Sequence, residues 1–357
     1  MTNKTKDEVE GEEVLEASAK NILLNVIGQL GKGADLHRVT LPTFVLEPRS
    51  FLERLTDFMS HPELIINASK LPTPEERIIA ITKYFLSGWH IRPKGVRKPY
   101  NPVLGEYFRC QWEFENGTKC YFLAEQVSHH PPISAFVFAS PENNFIIQGD
   151  MRPKSKFYGT SAGSLLEGNC KFTFLNLPGE EYTITYPNLY AYGILFGKLT
   201  MDMGDISTIT CKQTNLCSKM EFKTKGVFSG AYHQVSGKVK KSSTNDTLYE
   251  FNGNWTEKVT ISSKNGPEEI FLDIDNMKLH PRTVKPISEM GEFESIRLWQ
   301  HLTSNLTANN MDQATEEKTK IEEAQRVRTK SRESKGEDWE HRFFTKANDT
   351  YTWKLDS

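Results

Sequence analysis

Residues 107–149 read YFRCQWEFENGTKCYFLAEQVSHHPPISAFVFASPENNFIIQG. Three features of this stretch decide the fold class. Aromatic and β-branched residues gather in runs of four to eight, predicting strands over Tyr107–Phe114, Lys119–Glu125, Ile133–Ala139 and Asn144–Gly149. Asn116-Gly117 and Asn143-Asn144 sit between runs, and such pairs tolerate the left-handed backbone of tight hairpins. No helical period interrupts the runs. The same texture continues through 171–174, 182–186, 207–210, 219–222, 235–239, 248–252 and 269–274, with Asn265-Gly266 as another hairpin turn. This is the pattern of a long antiparallel meander that closes or nearly closes into a barrel, and it argues against a doubly wound parallel sheet.

Helices are expected on either side. Ser50 and Glu53 predict a capping box before Phe51, Leu52, Leu55, Phe58 and Met59. Pro74 with Glu75 and Glu76 opens a second helix carrying Ile78, Ile79, Ile81, Tyr84, Phe85 and Leu86. Residues 41–48 (LPTFVLEP) read as extended. Ile22, Leu23, Val26, Ile27 and Leu30 share one helical face before Gly31 and Gly33. That short amphipathic helix either packs on the core or serves as a movable, membrane-touching lid. Residues 1–19 read as a solvated, disordered tail. After about 290 the chain is expected to be helical, with an apolar patch at Phe293, Ile296, Leu298 and Trp299. A terminal aromatic group, Trp339, Phe343, Phe344, Tyr351 and Trp353, is expected to dock on the barrel. The expected division is thus one domain over 20–357: 20–40 a lid, 41–98 helical, 99–285 the barrel, 286–357 helical.

Composition removes several function classes. Of 357 residues, 44 are basic and 46 acidic, a net charge of -2, so the chain is no global polycation for nucleic acid. Apolar runs are far too short to cross a bilayer as a helix. The polar start MTNKTKDEVEGEEVLE is no secretory signal. Five cysteines (110, 120, 170, 211, 217) form no CxxC pair, which predicts free thiols in a reducing compartment. The glycosylation triplets at Asn67 and Asn116 are then without meaning.

Three segments carry candidate chemistry. In EQVSHHPP (125–132), Pro131 forces His130 out of helical conformation and the two prolines stiffen the backbone at and beyond them. His129 and His130 are so held at a strand end, where two imidazoles suit a phosphate oxyanion; two satisfied turn histidines are the plainer reading. No third ligand lies at zinc spacing, and no nucleophile elbow is present, so neither a metal nor a cofactor is expected. In 94–106 (KGVRKPYNPVLGE), Pro99 and Pro102, with Pro93 just before them, make the loop rigid, and Lys98 and Asn101 can face one ligand. Lys318, Glu322 and Arg326, spaced i, i+4, i+8, share a helix face and are either a binding triad or a solvated ion-pair row.

The string EQVSHHPP resembles the fingerprint of the oxysterol-binding-protein-related lipid transfer proteins. The resemblance extends to LPTFVLEPRSFLERLTDFMSHPEL (41–64), KPYNPVLGE (98–106) and the EEAQR helix near 322–326, about residues 20–345 in all. It implies an incomplete antiparallel β-barrel around a lipid tunnel, with flanking helices and an N-terminal lid. The implied role is a monomeric, non-enzymatic cytosolic carrier, peripheral at membranes, endoplasmic reticulum–plasma membrane contact sites among them. By motif match, Lys98, Asn101, His129, His130, Lys318, Glu322 and Arg326 fall at positions for the headgroup of phosphatidylinositol 4-phosphate. Asp35–Leu46 resembles the branch that carries phosphatidylserine as second lipid, with Leu36 and Leu41 beside it and Ser155 near its headgroup. Core packing is the rival role for the two leucines. A sterol as counter-lipid, or a lipid sensor that binds without transferring, are the alternatives.

Elementary energetics fits such a carrier. Pulling a two-chain lipid from a bilayer exposes some 30 methylenes, on the order of 25 kcal/mol. A carrier must offset this with an apolar cavity, and an anionic headgroup needs several converging donors at its mouth.

Overall fold

A computed structural model describes residues 25, 32–33, 42–91, 97–193, 199–225 and 230–354. The lid positions Ile22, Leu23, Val26, Ile27 and Leu30, the tail 1–19, and Leu36 and Leu41 lie outside the described residues.

The first described strand is β1 (Leu46–Ser50), which runs into a four-residue helix, α1 (Phe51–Arg54). Ser50 caps that helix through Leu52 N, but no capping box forms: the Glu53 carboxylate instead accepts from Arg282. The expected helix is a single α turn that continues as a 3₁₀ segment, Leu55–Met59. Helix α2 (Pro74–Ser87) matches expectation. Thr73 and Glu76 close a reciprocal capping box and Pro74 fills the first turn, where its missing N–H costs nothing. Its Ile78, Ile81 and Tyr84 are buried in the main core. Arg77 grips Glu180 with two bonds of 2.7 and 2.8 Å, fixing α2 to a segment 103 residues on in the chain.

Next come β2 (Lys98–Tyr100), β3 (Tyr107–Glu113), β4 (Lys119–Ser128), β5 (Ile133–Ser140), β6 (Phe145–Phe157), β7 (Ala162–Phe174), β8 (Glu181–Ile184) and β9 (Asn188–Tyr192). These are followed by β10 (Thr200–Cys211), β11 (Leu216–Lys223), β12 (Gln234–Lys241), β13 (Thr247–Asn254), β14 (Lys258–Ser263) and β15 (Glu268–Asp273). Strands β3 to β15 make one 13-stranded sheet in sequence order, with β9 bridging β7 and β10. Neighbours are antiparallel throughout. Among the described residues β3 and β15 do not pair with each other, so the sheet curls without closing. Where one face of the sheet is wet, alternate residues are buried: in β11, Leu216, Ser218, Met220 and Phe222 point inward.

The interior has two parts. Phe108, Trp112, Phe122, Phe138, Phe145 and Phe172 fill the β3–β7 end solidly. The far ends of β6 and β7, with β9 and β10, instead line a hollow.

The C-terminal part starts with α3 (Ser295–Leu298), α4 (Gln300–Thr307) and the long α5 (Met311–Ser334). The expectation of helix to the end of the chain is corrected: residues 344–353 form a hairpin, β16 (Phe344–Ala347) and β17 (Thr350–Trp353). Asn348 and Asp349 both take positive φ at its tip, which is turn chemistry rather than helix. Phe344 and Tyr351 pack on Val127, Ile133 and Val137 of β4 and β5, so the terminal aromatic residues dock on the barrel as expected.

Candidate functional site

Short β2 is the keystone of the site. It pairs in parallel with β1, Leu46 opposite Lys98 and Ser50 opposite Tyr100. Tyr100 packs on Trp299 at 5.0 Å and its hydroxyl meets Thr303 at 3.0 Å. Leu46, Tyr100, Val103, Trp299, Leu302 and Ala314 make one apolar cluster, against which Ile321 of α5 also packs. Ala314, Ile321 and the buried Gln325 thus form the seated stripe of α5. That stripe turns Lys318, Glu322 and Arg326 toward the 98–103 loop.

Beneath the loop lies Glu106, fully buried. Its carboxylate accepts from Val103 N at 3.0 Å, Trp299 Nε1 at 2.9 Å, Ser295 Oγ at 2.7 Å and, most closely, Ser50 Oγ. One carboxylate so ties together β1, the loop and α3, although burial itself pushes its pKa up. Gly105 has φ +78°, and a Cβ there would lie 2.3 Å from the Trp339 ring, so only glycine fits. The fingerprint strand β4 is anchored on the same side. Gln126 N donates to Glu106 O at 2.8 Å, and Gly105 N donates back to Gln126 O at 2.9 Å. Glu125 is structural rather than ligand-facing: it accepts from Arg342 N and Phe343 N, both at 2.9 Å, and so holds the C-terminal segment.

These supports enclose a cavity of about 690 Å³. All seven residues singled out by motif, Lys98, Asn101, His129, His130, Lys318, Glu322 and Arg326, line it. Sequence reasoning missed Gln325, Thr329, Lys330 and Glu333, which line it too. The i+4 step from Arg326 to Lys330 was the available signal. Four cations face two carboxylates, a formal charge of +2 with the histidines neutral. Lys318 is partly spoken for, by Glu322 at 2.8 Å.

The two imidazoles are not equivalent. Their rings meet edge-on, centroids 4.6 Å apart. His129 is half-buried, and its Nδ1 lies 2.9 Å from the Pro102 carbonyl oxygen. A carbonyl only accepts, so Nδ1 carries the proton and His129 turns Nε2 elsewhere. Burial, and secondarily His130, lowers the His129 pKa. The expectation that each ring presents a ready N–H donor to an anion therefore needs correction. Neutral His129 has spent its N–H on the backbone.

A second, apolar cavity of about 230 Å³ lies in the hollow part of the sheet, walled by Phe58, Trp89, Leu166, Leu189, Met201 and Met203. Ser155 lines it, opposite Ser164 in the β6–β7 register. Lys98, Pro99, Tyr100 and Asn101 border both cavities. Among the described residues no group of three or more His, Cys, Asp or Glu could hold a metal, and no helix is long and apolar enough to cross a membrane.

Comparison with known proteins agrees with this architecture. The Oxysterol-binding protein family model matches residues 25–308 and 303–357. Oxysterol-binding protein 4 of Dictyostelium discoideum is 45% identical over 354 residues, covering 96% of this chain and 75% of the relative. Among solved structures, the Osh1 ORD domain in complex with cholesterol is similar at a TM-score of 0.81 and 25% identity, covering 94% of this chain and 86% of that one. The Osh3 ORD of Saccharomyces cerevisiae, in complex with PI(4)P, shares the fold at a TM-score of 0.74 and 21% identity, covering 97% of this chain and 91% of that one.

Proposed function

Because the chain belongs to the oxysterol-binding protein family, we propose that it is a lipid carrier that exchanges phosphatidylserine for phosphatidylinositol 4-phosphate between membranes. One observation carries the reading: a cationic cavity and an apolar cavity share a single wall, residues 98–101. An amphiphile with a phosphorylated head and greasy tails matches that pair. Lys98, Lys318, Arg326 and the two histidines converge on the head, with Asn101 as a neutral donor and Glu322 aiming Lys318. The tails enter the neighbouring hollow, and no bond is made or broken. Exchange needs only comparable affinity in membrane and cavity, and release on opening. Phosphatidylserine as counter-lipid rests on the resemblance of Asp35–Leu46 and on the Ser155–Ser164 pair, which lines the same cavity as Leu166, Leu189, Met201 and Met203. The cholesterol complex of the Osh1 domain supports a second reading, with sterol as counter-lipid. A carrier works from the cytosol, touching membranes transiently as a monomer.

The test is a two-liposome assay following both lipids. Donor vesicles hold phosphatidylserine, acceptors hold phosphatidylinositol 4-phosphate, and a parallel set replaces phosphatidylserine with cholesterol. Turnover well beyond one lipid per protein is expected with phosphatidylserine. Stoichiometric binding without turnover would make the protein a sensor, and turnover only with cholesterol would reassign the counter-lipid.

A further inference from the structure

The bond from His129 to Pro102 has a consequence for what the cationic cavity selects. The ring nitrogen left for a ligand, Nε2, bears a lone pair when His129 is neutral. Two acceptors, an imidazole lone pair and a phosphate oxygen, repel unless a proton lies between them. We propose that the Pro102 carbonyl, by fixing the tautomer of His129, makes His129 a specificity residue for phosphomonoesters: the bound complex holds one shared proton between Nε2 and a phosphate oxygen. This rests on the cavity being a phosphoinositide site and deepens that reading.

The surroundings favour such a shared proton. His130 is the nearest titratable neighbour, on the same turn. From α5, Lys318, Arg326 and Lys330 face the cavity with Glu322 and Glu333, and Lys98 faces it from β2. Burial, and then His130, opposes charging His129 in the empty cavity, with the Pro102 carbonyl and Glu322 acting against them, in a site where cations outnumber carboxylates. Arrival of a phosphate dianion reverses the local field, and imidazolium then gains a partner.

Protons must balance. A phosphomonoester has its second ionisation near pH ~6, close to that of imidazole at ~6.5. At pH 7.5 free His129 and free ligand are both mostly unprotonated, so binding draws the proton from solvent, approaching one per complex. By linkage the affinity then falls toward tenfold per pH unit above neutrality. Near pH 5.5 one partner already carries the proton and uptake shrinks. A phosphodiester, permanently a monoanion with no titratable proton in this range, offers Nε2 a weaker partner. The cavity would so distinguish a terminal phosphate from the diester that joins head to glycerol in lipids such as phosphatidylserine.

Calorimetric titration of the full chain with dioctanoyl phosphatidylinositol 4-phosphate, in MOPS, HEPES and Tris at pH 7.5, reads the proton number from the dependence of heat on buffer ionisation enthalpy. Uptake close to one proton is expected, declining at pH 5.5. His129→Gln, which donates a hydrogen bond without titrating, should take up less than about half as much, whereas His130→Gln should weaken binding and keep the uptake. Binding by the parent with no proton uptake would overturn the inference and leave the carrier reading standing. Uptake unchanged in His129→Gln but lost in His130→Gln would overturn the assignment to His129. No heat and no binding at either pH would instead overturn the carrier reading itself.

Discussion

Glu106→Ala removes the acceptor that four donors share. Two of those donors, Val103 N and Trp299 Nε1, have fixed directions and are buried. Leaving each unsatisfied costs about 1–3 kcal/mol, or ~4 kcal/mol for the pair. The two hydroxyls can turn aside; Ser295 Oγ already reaches the Tyr107 carbonyl at 3.2 Å. For a chain larger than the small proteins with urea m-values of about 1–3 kcal/mol/M, a slope of ~4 is reasonable, so the midpoint should fall by about 1 M urea. Glu106→Gln keeps one acceptor oxygen and should lose roughly half as much. Urea titration followed by tryptophan fluorescence reads the shift, and affinity for dioctanoyl phosphatidylinositol 4-phosphate reads the consequence, since the 98–103 loop loses its seat. An alanine variant with a midpoint within about 0.2 M of the parent, under ~1 kcal/mol on that slope, would refute the keystone role of Glu106.

Three further outcomes are expected. Replacing His129 and His130 together by alanine should cut extraction of phosphatidylinositol 4-phosphate from liposomes at least about tenfold, a loss of one charged hydrogen bond or more, with urea stability little changed. Unaltered extraction would remove the histidines from the site. Ser164→Phe puts a ring into the apolar cavity and should block uptake of the second lipid in the liposome assay; normal uptake would mean that lipid chains do not pass between β6 and β9. The third concerns pH and the pair of buried His61 and half-buried His90, whose Nε2 atoms lie 2.9 Å apart. Burial, and then His61, lowers the His90 pKa to about 4. The unfolded chain binds that proton at higher pH than the folded one, so stability present above pH ~6.5 declines as pH falls toward 4, by on the order of 2 kcal/mol after allowing for partial exposure. Urea midpoints for the parent and His90→Gln should converge across that window, and parallel curves would exclude His90 as the cause.

Much of this fold was legible because its strands alternate and their turns use asparagine and glycine. The features that escaped are physically distinct. Residues 150–157 and 162–170 extend β6 and β7 beyond the solid core to wall a hollow, so their inward positions include Ser155 and Ser164 and carry no apolar alternation. Asn188–Tyr192 is only half-buried along its whole length, which erases the period of two. The Ser50–Glu53 spacing misleads because Arg282, far along the chain, claims the Glu53 carboxylate. The C-terminal hairpin had a local signal in Asn348-Asp349, which is turn chemistry, but the aromatic run around it indicates docking without indicating a backbone shape. In the candidate site, spacing put Lys318, Glu322 and Arg326 on one helix face, and the resemblance of the EEAQR segment assigned that face to the site. No local pattern could reveal that Glu125 serves the C-terminal segment, or that His129 is committed to Pro102, because both partners are brought in by tertiary contacts.

The shared partition of residues 98–101 also constrains how such a chain could diversify. A substitution there alters the walls of both cavities at once, so drift at these four positions is pleiotropic. Leu189 and Met201 touch only the apolar hollow, and Thr329 and Lys330 only the cationic one. Descendants acquiring new cargo would accumulate their changes at those remote walls, leaving the partition as the slowest-evolving part of the interior.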